Sequence, residues 1–87
     1  MKILNENLTY KFVDSEIEND DLEIIEIYQG TLVDSYIVRD YTNDCYYAYL
    51  EKFKNAWSST LTKYQLNEIE AYKLIDDLNK DYSIELE

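Results

Sequence analysis

Apolar and polar positions change rhythm about halfway along this chain. In the first half they alternate: Leu8, Tyr10 and Phe12 fall on one side of an extended segment, and Thr9, Lys11 and Val13 on the other. That is the period of a half-buried strand. Ser15 to Asp21 is a polar, acidic connection. Leu22 to Tyr28 is rich in isoleucine, and Leu32 to Tyr41 in Val, Ile and Tyr. Both compositions favour strands. Between them, Gln29-Gly30-Thr31 reads as a short hairpin loop in which Gly30 supplies a positive φ. A three-residue loop pairs Tyr28 with Leu32, Glu26 with Asp34 and Ile24 with Tyr36, which sets two carboxylates directly opposite and destabilises the sheet. A two-residue loop pairs Glu26 with Val33 and Ile24 with Ser35 instead. Both registers stay open.

The second half has a helical period. Thr42-Asn43-Asp44 supplies capping residues, and Tyr46, Tyr49, Leu50, Phe53, Ala56, Trp57, Leu61 and Tyr64 then recur at spacings of three and four. The spacing predicts an amphipathic helix from about Asp44 to Tyr64, with a bend or end at Ser58-Ser59-Thr60, which is poor helix material. Asn67 followed by Glu70 matches a capping box with Asn as the cap. Ile69, Tyr72, Ile75, Leu78 and Tyr82 mark the inner stripe of a last helix, and Ile84 to Glu87 form a frayed tail or a short edge strand. Strands followed by helices predict a single α+β domain over residues 1–87. Its expected form is a three-stranded antiparallel meander followed by two helices packed on one face. Phe53 and Trp57, the largest apolar side chains of the long helix, are expected to cover the sheet.

Charge changes the picture most. Nineteen acids stand against eight bases, a net charge of −11 on 87 residues. From Phe12 to Val38 there is no Lys or Arg, and Asp14, Glu16, Glu18, Asp20, Asp21, Glu23, Glu26 and Asp34 all lie in that stretch. Asp76, Asp77 and Asp81 add a second cluster. A domain of this length has a radius of gyration of about 12 Å, so the charges repel one another at close quarters and weaken the fold while keeping it dissolved. Such a density points to a basic partner surface. The same sign opposes direct binding to nucleic acid and to anionic lipid. No segment reaches the roughly 20 apolar residues of a membrane span, and Met1 to Tyr10 lacks the apolar run of a signal peptide. At 46% hydrophobic residues, including ten tyrosines, the chain is too apolar for the disordered class. Its core is still small, because a chain this short buries only roughly 60–65% of its unfolded surface.

Catalytic chemistry is hard to assemble here. Histidine is absent, Cys45 is the single cysteine and Gly30 the single glycine. The commonest general base, a Cys/His zinc cluster and a glycine-rich phosphate loop are therefore all missing. Asp14, Glu16, Glu18 and Asp20 alternate, but the glycine and terminal glutamate of a calcium loop do not follow. Enzyme activity, metal and cofactor are not expected. Cys45 reads as an inert thiol in a first helical turn, and a lone cysteine fits a reducing cytosol. Tyr41, Tyr46, Tyr47 and Tyr49 exceed what a small core absorbs. Mixed with acids they suit an arginine-rich partner, the carboxylate taking the guanidinium fork and the ring its face. The candidate contact set is Asp14, Glu16, Glu18, Asp20, Asp21, Glu23, Glu26 and Asp34, with Tyr41, Tyr46 and Tyr47 as anchors.

Phe53-Lys54-Asn55-Ala56-Trp57, placed on a helix after a meander, resembles the small phage-encoded anti-CRISPR proteins. Members of that group are of similar length, strongly acidic and poor in cysteine, and one carries a near match to these five residues. The chain departs from that member by lacking a leading helix, and no target-contacting residue is carried over. The resemblance implies an inhibitor acting in the host bacterial cytosol, with carboxylates standing where DNA phosphates would sit on a CRISPR effector or another DNA-handling enzyme. The same electrostatics suit an immunity protein or antitoxin that covers a basic nuclease toxin. A scaffold or regulatory interaction protein, charged for solubility alone, is the third reading. Oligomeric state is not written in the sequence.

Overall fold

A computed structural model describes residues 1–30 and 32–80. Its elements, in chain order, are β1 (Lys2–Asn5), α1 (Tyr10–Ile17), β2 (Leu22–Gln29), β3 (Val33–Asp40), β4 (Cys45–Asn55), β5 (Ser58–Leu66) and α2 (Glu68–Lys80). The strands form one antiparallel sheet in the order β1-β5-β4-β3-β2. β1 and β2 are the two edges, and α1 crosses the sheet between them. The expected three-stranded meander with two helices on one face is thus replaced by five strands with one helix on each face.

Alternation along the strands makes the two faces. Val33 and Ile37 of β3, Tyr46, Ala48 and Leu50 of β4, and Tyr64 and Leu66 of β5 pack with Ala71 and Leu78 of α2. Val38, Tyr49 and Leu61 point the other way and pack with Val13 of α1, joined by Leu8, Ile17, Leu22, Tyr36 and Tyr47.

The largest correction concerns the predicted helix from Asp44 to Tyr64, which is the β4–β5 hairpin. Cys45 to Leu50 is a run of six apolar residues because β4 is covered on both sides. A strand buried on both faces loses the two-residue alternation, and its Tyr46/Tyr49/Leu50/Phe53 spacing then imitates a helix. Aromatic and β-branched enrichment was the discriminating signal: three tyrosines in six residues, then Thr60, Thr62 and Tyr64. Phe53 and Trp57 accordingly do not cover the sheet from a helix. Trp57 sits at the hairpin turn, 93% exposed.

The expected strand Leu8–Val13 is also overturned, since Tyr10–Ile17 is helical. Thr9 is the cap, its Oγ1 accepting from Phe12 N at 3.2 Å. Leu8 before the cap and Val13 inside the helix share one apolar cluster, as in a hydrophobic staple. Thr42-Asn43-Asp44 caps no helix and instead turns β3 into β4, with Asp44 at φ 51°. Residue types that cap helices also make turns, for the same reason: short polar side chains bond nearby backbone.

The β2–β3 hairpin is present, but in neither register considered. Gln29 lies opposite Asp34, Tyr28 opposite Ser35 and Glu26 opposite Ile37, and a bulge shifts the pairing before Ile24 meets Val38. Gly30 does not take a positive φ. A Cβ there would lie 2.6 Å from the Tyr28 ring, so a larger residue would push that side chain aside.

The capping box at Asn67 is as read: Glu70 N donates to Asn67 Oδ1 at 2.8 Å and Asn67 N to Glu70 Oε1 at 3.0 Å. The inner stripe of α2 is rotated from the expected one. Ala71 and Leu78 are buried, Leu74 and Ile75 half-buried, and Ile69 is 81% exposed. Small Ala71 lets the helix approach the sheet, while Tyr72 stays at the rim with its ring edge-on to Tyr46 at 6.0 Å. Asp81, Tyr82 and Ile84 to Glu87 lie outside the described residues.

Candidate interaction surface and an acid-lined cleft

The acids expected to act together fall into three settings. Asp14 and Glu18 lie one turn apart on the exposed side of α1, and Asp20 and Asp21 follow in the turn to β2. Asn19 shapes that turn, its Oδ1 accepting from Asp21 N at 2.9 Å and its carbonyl from Leu22 N at 3.0 Å. Glu23 is exposed on the edge strand β2, and Glu26 further along it is half-buried. Tyr41 joins this surface, donating its backbone N–H to Asp21 O at 3.1 Å and its hydroxyl to Glu23 Oε1 at 2.9 Å. Asp14, Glu18, Asp20, Asp21, Glu23 and Glu26 have no cation within ion-pair distance among the described residues. The ion pairs found there lie elsewhere, at Met1–Glu70, Arg39–Asp44, Lys63–Glu16 and Lys80–Asp76.

Glu16 belongs to the second setting, the interior of the α1 face. Lys63 Nζ lies 3.2 Å from its Oε1, and the Tyr49 hydroxyl donates to its Oε2 at 3.0 Å. The same ammonium lies 4.3 Å from the centre of the Tyr47 ring. Asp40 stands nearby in a full set of donors. Its Oδ1 takes Thr42 N and Asn43 N at 3.0 and 3.1 Å, and its Oδ2 takes Asn43 Nδ2 and the Tyr47 hydroxyl at 2.8 and 3.0 Å. Burial alone would raise the Asp40 pKa, but the bonds from Asn43, Tyr47 and Thr42 outweigh it and hold the carboxyl below its ordinary value. The Tyr47 phenol is pushed well above its ordinary value by the Cys45 thiol, by burial and by Asp40. Burial and Glu16 do the same to Tyr49. Each of these phenols donates a hydrogen bond to a neighbouring carboxyl group.

Asp34 makes the third setting. Its Oδ1 accepts from Gly30 N at 3.1 Å, and across β3–β4 it stands directly opposite Glu51. The like-charge pair that one register would have given Glu26 and Asp34 therefore occurs, with Glu51 in place of Glu26. Like charges placed directly opposite each other on neighbouring strands disfavour the pairing. Glu51 is only 9% exposed and receives the hydroxyls of Tyr10 and Ser59. Burial and the Glu51 carboxylate push the Tyr10 phenol well above its ordinary pKa. Asp34, Glu51 and Tyr10 line a cleft of about 200 Å³, together with Ile27, Tyr36, Tyr49 and Leu61.

Of the expected anchors, only Tyr41 stands on the acidic surface. Tyr46 is 8% exposed beneath α2, and Tyr47 is committed to Asp40. Tyr10, Tyr36, Glu51 and Lys63 were not singled out from the sequence. Their grouping depends on strand pairing between distant segments, and the misread hairpin hid it. Cys45 is buried as a free thiol in β4 rather than placed at a helix start. Among the described residues, no group of three or more Cys, Asp or Glu is placed to hold a metal ion, and no helix is long and apolar enough to cross a membrane. Comparison with protein-family models, with curated proteins and with solved structures finds no match to this chain.

Proposed function

We propose that this protein is a non-enzymatic acidic inhibitor that mimics nucleic acid and occupies the basic nucleic-acid-binding surface of another protein. A CRISPR effector or another DNA-handling enzyme of the bacterial cytosol is the target class. One observation carries the reading: a run of exposed carboxylates, Asp14, Glu18, Asp20, Asp21 and Glu23, has no cation in ion-pair distance among the described residues. Acids serving only solubility sit well beside surface lysines. Here such neighbours are missing from the whole stretch between Phe12 and Val38. The edge position of β2 leaves the run open to a partner, and Tyr41 adds a ring beside Glu23.

Phe53 to Asn55 end β4 and Ala56-Trp57 form its turn, so the proposal rests on the carboxylates and not on that five-residue stretch. Electrostatic steering would make capture fast and salt-sensitive. The test is a DNA-cleavage assay with purified CRISPR effector nucleases and basic nuclease toxins, run at about 50 and about 300 mM salt, where steering differs most. Inhibition should weaken at high salt. Combined Asp20→Lys, Asp21→Lys and Glu23→Lys should raise the inhibitory concentration at least about tenfold, the loss expected from removing several charge-assisted contacts, with the circular dichroism spectrum unchanged. Full inhibition by the folded triple variant would overturn the proposal. Protection confined to a toxin would move the target to the immunity class.

A further inference from the structure

The α1 face of the sheet already contains one cation held in a specific way. Lys63 Nζ lies 3.2 Å from Glu16 Oε1, with the Tyr47 ring centre at 4.3 Å and that of Tyr49 at 5.5 Å. The cleft beside the first turn of α1 repeats the ingredients. Asp34 and Glu51 stand opposite each other, and Tyr10, Tyr36 and Tyr49 line it with them. Here no cation lies within ion-pair distance of either acid among the described residues.

We infer that this cleft takes the guanidinium of an arginine side chain supplied by a basic polypeptide. Size, charge and surface agree. Pockets for whole small molecules run from about 300 to 1,000 Å³, so about 200 Å³ suits one side chain rather than a metabolite. Two directly opposed carboxylates repel each other, and a single cation between them turns that repulsion into attraction. The accessible phenol rings of Tyr10 and Tyr36 favour arginine over lysine, because the planar, weakly hydrated guanidinium stacks on an aromatic face while its fork reaches carboxylate oxygens. The mouth is accessible, since Ile27 and Tyr10 on its lining are exposed. The cleft is separate from the Asp14–Glu23 run, and the inference does not depend on the inhibitor reading.

The experiment is an amide chemical-shift titration of the whole protein with three probes: acetyl-arginine amide, its uncharged isostere acetyl-citrulline amide, and acetyl-lysine amide. Expected are saturable shifts centred on Tyr10, Ile27, Asp34 and Tyr36 for the arginine probe, with citrulline at least about tenfold weaker for want of a charge-assisted contact. Asp34→Asn should weaken the arginine probe at least about tenfold for the same reason. Tyr36→Leu, which keeps both acids, should weaken it less. Asp20→Lys with Asp21→Lys and Glu23→Lys should leave it unchanged. Equal binding of citrulline, tighter binding of lysine, shifts centred on the Asp14–Glu23 run, or undiminished binding by a folded Asp34→Asn protein would each overturn the inference.

Discussion

Asp40 shows how single residues steady this fold. Four donors from the following turn and from Tyr47 converge on one buried carboxylate, so the charge is satisfied without a cation. Its pKa is lowered in the native state, so the unfolded chain binds the proton more tightly. Its stabilisation is therefore fully present above the ordinary aspartate value of 3.8 and is lost as pH falls through the lowered native one. Asp40→Asn turns two of the donors toward an amide NH2. It should cost about 1–3 kcal/mol at neutral pH in denaturant melts, the usual result of leaving buried polar groups unpaired. It should also flatten the loss of stability below pH about 4. An unchanged acid limb would show that another carboxylate controls it. Nothing in the sequence singled out Asp40, because its donors come partly from Tyr47, a residue brought alongside by the β3–β4 pairing.

At the scale of elements, local signals were legible and bilateral burial was not. Asn67 and Glu70 lie three apart, so their reciprocal bonds need only the first turn of α2 to form. The strands β2 and β3 were readable from Ile, Val and Tyr content, but their register was not, since Gln29 already meets Asp34 beside the turn, and the bulge between Ile24 and Glu26 shifts the pairing again. In β4 the covering of both faces removed the polar alternation that marks a strand. One substitution separates the two accounts of this region, and a second checks the cap that both share. Trp57→Ala should change stability by no more than about 0.5 kcal/mol, as an exposed turn position does, whereas a tryptophan covering the sheet would cost about 3–5 kcal/mol. Asn67→Ala should cost about 1 kcal/mol through loss of the cap. Both are read as shifts of the urea midpoint at constant slope, and a large loss at Trp57 would contradict the hairpin.

The chain carries a net charge of −11, and its described residues have a Cα radius of gyration of 12.3 Å. At about 0.02 M salt the screening length is roughly 20 Å, longer than that radius, and at about 0.3 M it is roughly 6 Å. Self-repulsion should therefore relax on adding salt. The melting temperature should rise by about 4–8 °C over that range, which corresponds to about 1 kcal/mol in a domain of this size. Binding to a basic partner should move the other way, weakening as salt rises. A melting temperature that falls with salt would mean that ion pairs such as those among the described residues outweigh the uncompensated acids.

By itself the sequence determined the sign and density of charge, the absence of histidine, the strands around Gly30 and the start of the last helix. Each depends on composition or on residues within a few positions of one another. Only the tertiary structure decided that Cys45–Leu66 folds back as two strands and that α1 and α2 take opposite faces. It also decided that Asp34 meets Glu51 beside Tyr10. Those outcomes come from pairing between segments far apart in the chain, where the energy of burying both faces of a strand overrides the period written along it.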